Sequence, residues 1–154
     1  MREFKPPDTF AIDPTRKRLF LGGSIEMGQA EDWQEDVAQA LKDLDVDILN
    51  PRREKWDSSW TQSIETPQFF EQVNWELDAL EAADIIAVVL LPGTKSPISL
   101  LECGLYVKSE KLIVCCPEGF WRKGNVDIVC RRYGVPQVST TEELATALRQ
   151  KLAG

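Results

Sequence analysis

The stretch "IIAVVLLPGTKSPISLLECGLYVKSEKLIVCC", residues 85–116, decides the fold. It begins with an unbroken apolar run over residues 85–92, and continuous rather than alternating apolarity predicts a central strand covered on both faces. A glycine turn follows, and Ser96 is a candidate N-cap for a helix over residues 97–109. Residues 111–117 form the next apolar run and predict another strand. The stretch therefore indicates a strand–helix–strand unit with parallel strands.

Alternating strands and helices extend in both directions from this unit. Apolar runs predict three further strands, and apolar residues at helical spacing predict four further helices. The strands cover 18–24, 46–51 and 135–139, and the helices cover 31–44, 67–84, 124–134 and 141–153. We therefore predict an α/β fold, a flavodoxin-like doubly wound five-stranded parallel sheet of order 2-1-3-4-5 with helices on both faces. Residues 1–17 are expected to form an N-terminal arm or edge extension, and residues 18–154 a single domain.

The composition excludes several kinds of chemistry. The chain has 154 residues, a net charge of −7 and no histidine. Ser-His-Asp and Cys-His catalysis and histidine-ligated metal sites are therefore excluded. The four cysteines form no C-x-x-C pair, so we expect them to be small buried hydrophobes, and we expect neither a metal nor a cofactor. The acidic balance argues against a polymeric nucleic acid as partner, while a basic cluster could still hold a small anion.

The sequence gives no indication of a membrane partner. No apolar run approaches the ~20 residues that span a bilayer. The N-terminus lacks the apolar centre of a secretory signal. We therefore expect a cytoplasmic protein.

The ligand is expected beyond the carboxyl ends of the strands, as in other doubly wound folds. The candidate binding residues at these ends are Gly23, Ser24, Ile25, Asn50, Arg52, Arg53, Trp56, Gly93, Ser96 and Asn125. Arginine binds phosphate or carboxylate, and tryptophan stacks on planar rings. A loop anchored by Trp56, with Arg53 paired to a neighbouring carboxylate, explains the same residues equally well. The "GGSI" of residues 22–25 lets backbone amides approach an anion, but it is not a dinucleotide fingerprint.

Two glutamates interrupt apolar helical patterns. Glu102 lies six residues after Ser96 and next but one to Gly104, where a ligand could approach closely. Composition alone favours a solvated position for Glu102 on an amphipathic helix. Glu76 lies in the middle of the preceding helix, and that position argues against convergence of the two carboxylates.

The motifs together resemble the nucleoside 2-deoxyribosyltransferase-like family. They are "LFLGGSI", "NPRREKW", "NWELDALEAADIIAVVLLPGTKSPISLLECGLY" and "GNVDIVCRRYG", and the resemblance runs from about Arg18 to Leu148. It implies the flavodoxin-like fold and cleavage of the N-glycosidic bond of nucleosides or nucleoside 5′-monophosphates. It further implies that Glu102 is the nucleophile of a covalent sugar–enzyme intermediate and that Glu76 assists in positioning or proton transfer. This chemistry needs neither histidine nor metal.

Three positions depart from the transferases that the chain resembles. Those enzymes carry an acid where this chain has Ser96, and a tyrosine where it has Phe20. Their asparagine from a neighbouring subunit has no clear counterpart, although Asn125 lies in the corresponding region. The "GSI" of residues 23–25 is closer to the nucleotide hydrolases, where this loop helps to bind a 5′-phosphate. Arg52 and Arg53 would also suit a phosphorylated substrate.

These departures leave several functions open. The first is transfer of the sugar to a second base, with Glu102 as nucleophile. The alternatives are hydrolysis of nucleoside 5′-monophosphates, a nucleotide-binding module without turnover and, more weakly, a flavodoxin-like electron carrier. The expected partners are a small nucleoside or nucleotide and further copies of the chain in a homo-oligomer, since sites of this family are often completed by a neighbouring subunit.

Overall fold

Six parallel strands form one sheet in the computed structural model, which describes residues 1–26, 30–53 and 57–154. The strands are β1 (Arg2–Phe4), β2 (Lys17–Gly23), β3 (Val46–Leu49), β4 (Ile85–Val89), β5 (Leu112–Cys115) and β6 (Gln137–Val138). Their spatial order is β1-β3-β2-β4-β5-β6. The helices are α1 (Trp33–Ala40), α2 (Pro67–Ala82), α3 (Pro97–Tyr106), α4 (Lys123–Tyr133) and α5 (Thr141–Ala153).

The predicted fold class is confirmed, and the predicted strand count is one short. Strands β2 to β6 are the five expected strands, and their arrangement is the expected order 2-1-3-4-5. The additional strand, β1, lies within the expected arm and pairs in parallel with β3. It is held there by Arg2, whose guanidinium donates two hydrogen bonds to the buried carboxylate of Asp47. A three-residue strand is too short to produce a periodic signal in the sequence.

The sheet is covered on both faces, as the apolar run of β4 requires. Helices α1 and α5 pack on one face, where side chains such as Leu21, Trp33 and Leu148 form one apolar core. Helices α2, α3 and α4 pack on the other face, around Phe20 and Leu80. Every residue of β4 is buried, so its apolarity is continuous because both faces of the strand lie in a core. No helix in the described ranges is long and apolar enough to cross a membrane.

The carboxyl ends of β2 and β4 meet at a very close backbone contact. Gly23 pairs with Val89 and has φ of +140°, a backbone conformation that residues with a side chain rarely adopt. A Cβ atom built at Gly23 would lie 2.2 Å from the carbonyl oxygen of Val89. Only glycine allows this approach. It brings the loop after β2 against the loop after β4, where the candidate site lies.

We expect Gly23→Ala to lower the free energy of unfolding by about 3 kcal/mol or more, because the new methyl group must displace β4. Thermal unfolding measures this loss. The matched control is Gly124→Ala in α4, where an added Cβ meets nothing within 4 Å. That change should alter stability by about 1 kcal/mol at most, since alanine favours helix over glycine. Equal melting temperatures for the two variants would contradict the argument.

Candidate active site

The two glutamates singled out in the sequence lie close together at the carboxyl edge of the sheet. Glu76 projects from α2 and Glu102 from α3, two helices on the same face. Burial and, to a smaller extent, the charge of Glu76 together raise the pKa of Glu102 to about 8. This electrostatic effect requires proximity, so the mid-helix position of Glu76 does not prevent the two carboxyl groups from converging. Their catalytic roles stay a prediction.

Glu102 has an unusual environment for a carboxyl group. Its Oε2 atom is buried and accepts no hydrogen bond from the described residues. One side of α3 faces the core and carries Ser99 and Cys103, and another side carries a stripe of exposed apolar residues. Glu102 lies between these two sides. A carboxylate without hydrogen-bond donors is poorly stabilised in its charged form. Such a group is a reactive oxygen nucleophile once it loses its proton.

Glu76 differs because polar neighbours support its charge. Gln72 Nε2 donates a 2.8 Å hydrogen bond to Glu76 Oε1, and Arg53 Nε donates to Gln72 Oε1. Burial raises the pKa of Glu76 and outweighs the bond from Gln72 and the charge of Arg53, which lower it, so that the pKa is about 7. The Arg53 guanidinium also lies over the ring of Trp60, 5.0 Å from its centroid. Arg53 is therefore built into the surroundings of the carboxyl pair, and the sequence offered no signal for Gln72 as the link.

Arg52 has a different set of contacts, although it is adjacent in sequence. Its guanidinium donates to the carbonyl oxygens of Ala30 and Glu31 at 2.6 and 3.0 Å. These bonds tie the loop after β3 to the chain entering α1. Asn50 is also engaged, since Oδ1 accepts from the Arg52 amide and Nδ2 donates to Glu3. Substrate contacts for these two residues stay predictions, and Trp56 lies outside the described residues.

A cluster of three hydroxyl groups joins the loops after β2 and β4. The hydroxyl oxygens of Ser24, Thr94 and Ser96 lie within 2.7–2.8 Å of one another. Ser24 Oγ also accepts from the amide of Leu91. Ser96 is the N-cap residue of α3, as predicted, but its side chain makes no capping hydrogen bond and its φ is +48°. The Ser96 hydroxyl group bonds within the hydroxyl cluster and does not cap the helix.

Glu26 was not among the predicted residues, yet its carboxylate lies at the N-terminal end of α3. Oε1 accepts hydrogen bonds from the amides of Lys95 and Ser96 at 3.2 and 3.1 Å. The transferases that the sequence resembles carry an acid at the position of Ser96. Here a carboxylate reaches the same backbone from the loop after β2. Nothing in the sequence of that loop indicates the contact.

The remaining predicted residues lie around the same edge. Gly93 has φ of +80° in the turn after β4. Ile25 is half-buried in the loop after β2, and its carbonyl oxygen accepts from the amide of Ala30. Asn125 is exposed in the first turn of α4. At the rim, the ammonium of Lys95 lies 4.3 Å from the ring centroid of Trp121.

The four cysteines have the character of buried hydrophobes. All four are free thiols, and three of them are fully buried. Burial raises the pKa of the Cys103 and Cys115 thiols to about 12, and that of Cys116 and Cys130 to about 11. Thiols of this kind are poor nucleophiles. In the described part of the chain, no group of three cysteine, aspartate or glutamate side chains could hold a metal ion.

A comparison with known families shows the family to which the chain belongs. A family model described as nucleoside 2-deoxyribosyltransferase like matches residues 16–120, more than half of the chain. The chain belongs to the nucleoside 2-deoxyribosyltransferase-like family. The match includes both glutamates, Glu26 and the hydroxyl cluster. Curated proteins yield no match.

A solved structure supports the fold. It is described as a conserved protein from Enterococcus faecalis V583, with a TM-score of 0.60 and 13% sequence identity. The similarity covers 89% of this chain and 99% of the other. At this identity the likeness concerns the α/β fold alone.

The buried carboxyl pair should make stability depend on pH in a defined direction. Both pKa values are raised above the ordinary 4.5. The unfolded chain therefore releases protons at lower pH than the folded chain, and folding is progressively disfavoured as the pH rises from about 4.5 to about 8. We expect Glu102→Gln to raise the melting temperature at about pH 9 and to have a much smaller effect near pH 4.

Thermal unfolding of both proteins across this pH range measures the effect. The matched control is Glu118→Gln, because the Glu118 side chain is 93% exposed. Its effect on the melting temperature should vary little with pH. A Glu102→Gln variant whose melting temperature differs from wild type by the same amount at both ends of the range would contradict the raised pKa values.

Proposed function

We propose that this protein cleaves the N-glycosidic bond of a (deoxy)nucleoside through a covalent glycosyl–Glu102 intermediate. The observation that carries the proposal is the half-buried carboxyl pair. Glu102 Oε2 has no hydrogen-bond donor among the described residues, while Gln72 and Arg53 support the charge of Glu76. Membership of the nucleoside 2-deoxyribosyltransferase-like family is the second support. Retaining glycosidases also use two neighbouring carboxyl groups, one as nucleophile and one as acid.

The reaction needs one proton on the pair. Between pKa values of about 7 and about 8, the pair carries one proton, which belongs to the pair rather than to either residue. The pKa of Glu102 is the higher of the two, so the resting pair favours the proton on Glu102, and the proton passes to Glu76 to give the reactive state. The Glu102 carboxylate attacks C1′ and forms a C–O bond, and the N-glycosidic bond breaks with its electron pair moving to the base nitrogen. Glu76 protonates the departing base.

The second half of the reaction releases the sugar. A nucleophile attacks C1′ and gives its proton to the Glu76 carboxylate, the bond from C1′ to Glu102 breaks, and the Glu102 carboxylate is restored. If the nucleophile is the nitrogen of a second base, the enzyme is a deoxyribosyltransferase, which we favour from the family. If it is water, the enzyme is an N-glycoside hydrolase. No cofactor is required in either case, and a cytoplasmic location suits the four free thiols.

The experiment is incubation of the protein with deoxynucleosides and with 5′-monophosphates, with and without a second free base. We expect base release, and exchange of the base when an acceptor is present. Glu102→Gln should reduce kcat by about 10³-fold or more, because the covalent route is lost. Glu76→Gln should reduce it by about 10²–10⁴-fold, because proton donation is lost.

Glu76→Gln also supplies a direct test of the assignment. A nucleoside with an activated base does not need an acid to release the base. With this substrate the variant should accumulate the glycosyl adduct, which mass spectrometry detects on the Glu102 peptide. Activity retained in Glu102→Gln would show that the nucleophile is another residue. Binding of a nucleotide without any base release, even in long incubation, would instead support a nucleotide-binding module.

We further propose that a second copy of the chain covers the surface beside Glu102. Helix α3 exposes a stripe of Ile98, Leu101 and Leu105, each about 60% exposed. Helix α4 lies beside it, since Lys108, two residues after the end of α3, lies over the ring of Tyr133 in α4. The patch also includes the exposed side chains of Ile128 and Val129. Exposed apolar patches of this kind mark interaction surfaces, and a two-fold axis would bury the patch against itself.

Light scattering tests the association. We expect a dimer or larger assembly of the 17.4 kDa chain and dissociation in Leu101→Arg, because a charge placed in an apolar interface is desolvated without a partner. The control is Ile12→Arg, at an equally exposed apolar residue of the N-terminal segment, which should leave the assembly unchanged. A wild-type protein that is monomeric at all concentrations would exclude this surface as a self-association site.

A further inference from the structure

The N-terminal end of α3 is already occupied by a negative charge from the chain itself. The amides of Lys95 and Ser96 point at Glu26 Oε1 and donate to it at 3.2 and 3.1 Å. Amides at the start of a helix are a common binding place for phosphate and other anions. In this protein a carboxylate fills that place. Among the described residues Glu26 has no ion-pair partner, so its charge is not neutralised by a side chain.

The position of Glu26 is fixed by the loop that carries it. Ser24, two residues earlier, is fully buried, and its amide donates to the carbonyl oxygen of Val89. Its hydroxyl joins the cluster with Thr94 and Ser96. The carboxylate of Glu26 therefore reaches α3 from a loop that is bonded to β4 at several points. The Glu26 side chain is exposed, and its bonds to the amides of Lys95 and Ser96 hold the carboxylate at the start of α3.

The same edge holds the reactive carboxyl group. Glu102 lies six residues beyond Ser96, which corresponds to about 9 Å along the helix axis. Side chains on a helix tilt towards its N-terminus, so the Glu102 carboxyl group is displaced towards Glu26. The buried Oε2 atom of Glu102, which has no partner in the described residues, is an independent sign that a ligand belongs here.

The orientation of the sugar follows from the chemistry proposed above. The base must lie near Glu76, which protonates it, and Glu76 is on the side of α2 and Arg53. The base and the 5′ carbon stand at opposite ends of the sugar ring. A nucleoside with C1′ at Glu102 and its base towards Glu76 therefore directs its 5′ end towards the hydroxyl cluster and Glu26.

We propose that Glu26 is a specificity-determining residue that selects nucleosides with a free 5′-hydroxyl over nucleoside 5′-monophosphates. A 5′-hydroxyl can donate a hydrogen bond to the carboxylate. A 5′-phosphate would meet a like charge and would have to displace Glu26 from both amides, and close like charges in a binding site are strongly unfavourable. This inference rests on the proposed function, and it decides between the two substrate classes that the sequence left open.

The rim of the site also carries positive charge, which does not reverse this expectation. The cations of Lys95 and Arg122 lie over the ring of Trp121, 4.3 and 4.4 Å from its centroid. Both are near the surface, where solvent and salt screen them. They can attract any anionic molecule to the rim. The close contact with the 5′ end is made by Glu26.

The test compares kcat/KM for one deoxynucleoside and for its 5′-monophosphate in wild type, Glu26→Gln and Glu26→Ala. Glutamine keeps an oxygen for the two amides and removes the charge, whereas alanine removes both. We expect wild type to prefer the nucleoside. Both variants should raise the ratio of monophosphate to nucleoside kcat/KM by about tenfold or more, because the repulsion is lost. Glu118→Gln changes the net charge equally, at an exposed residue, and should leave the ratio unchanged.

Two results would overturn the inference. One is a wild-type enzyme that uses the 5′-monophosphate as well as the nucleoside. The other is that the Glu26 variants lose stability and both activities while the ratio of monophosphate to nucleoside kcat/KM stays unchanged. Glu26 would then have only a structural role. Thermal shift with 2-deoxyribose 5-phosphate and with 2-deoxyribose separates this inference from the proposed function. If 2-deoxyribose 5-phosphate stabilises only the Glu26 variants, the inference is supported even in a protein without turnover. If it stabilises wild type equally, the inference is refuted.

Discussion

The site depends on the cost of burying the carboxyl group of Glu102 beside that of Glu76. Water would stabilise both as anions, and the interior does not, so their pKa values rise to about 8 and about 7. The two groups then share protons near neutral pH instead of ionising independently. Gln72 and Arg53 bias the pair by supporting charge on Glu76. The asymmetry between the two carboxyl groups therefore comes from α2 and the loop after β3, and not from α3 itself.

The packing of the helices on the sheet holds the two carboxyl groups near each other despite the cost of burying them. Helices α2 and α3 are anchored in one apolar core with β4 and β5, so the carboxyl groups cannot separate and ionise without disturbing packed side chains. The close contact of Gly23 with Val89 joins the loops after β2 and β4 at the same edge. Parallel strands bring all of these loop ends together, which is why residues from distant parts of the sequence meet there.

The fold was predictable from the sequence because its strands are apolar runs and its helices have regular spacing. Strand β1 was not, since it has only three residues and is held by its pairing with β3 and by contacts to distant residues such as the ion pair of Arg2 with Asp47. The site was predictable only in part. Composition favoured a solvated Glu102, and the family resemblance rather than the pattern singled it out. Arg52 and Arg53 were indistinguishable in sequence, yet one bonds to backbone carbonyls and the other supports the carboxyl pair.

Glu26 illustrates the physical reason for the remaining failure. A hydrogen bond specifies a donor and an acceptor in space, and it does not specify which segment of the chain supplies the acceptor. The transferases that the chain resembles carry an acid at the position of Ser96, and a comparison by position records its loss. In three dimensions a carboxylate is bonded to the Ser96 amide all the same, because the loop after β2 delivers it. A negative charge thus lies beside the Ser96 amide although the local sequence carries no acid, and we expect the substrate preference to follow from that charge.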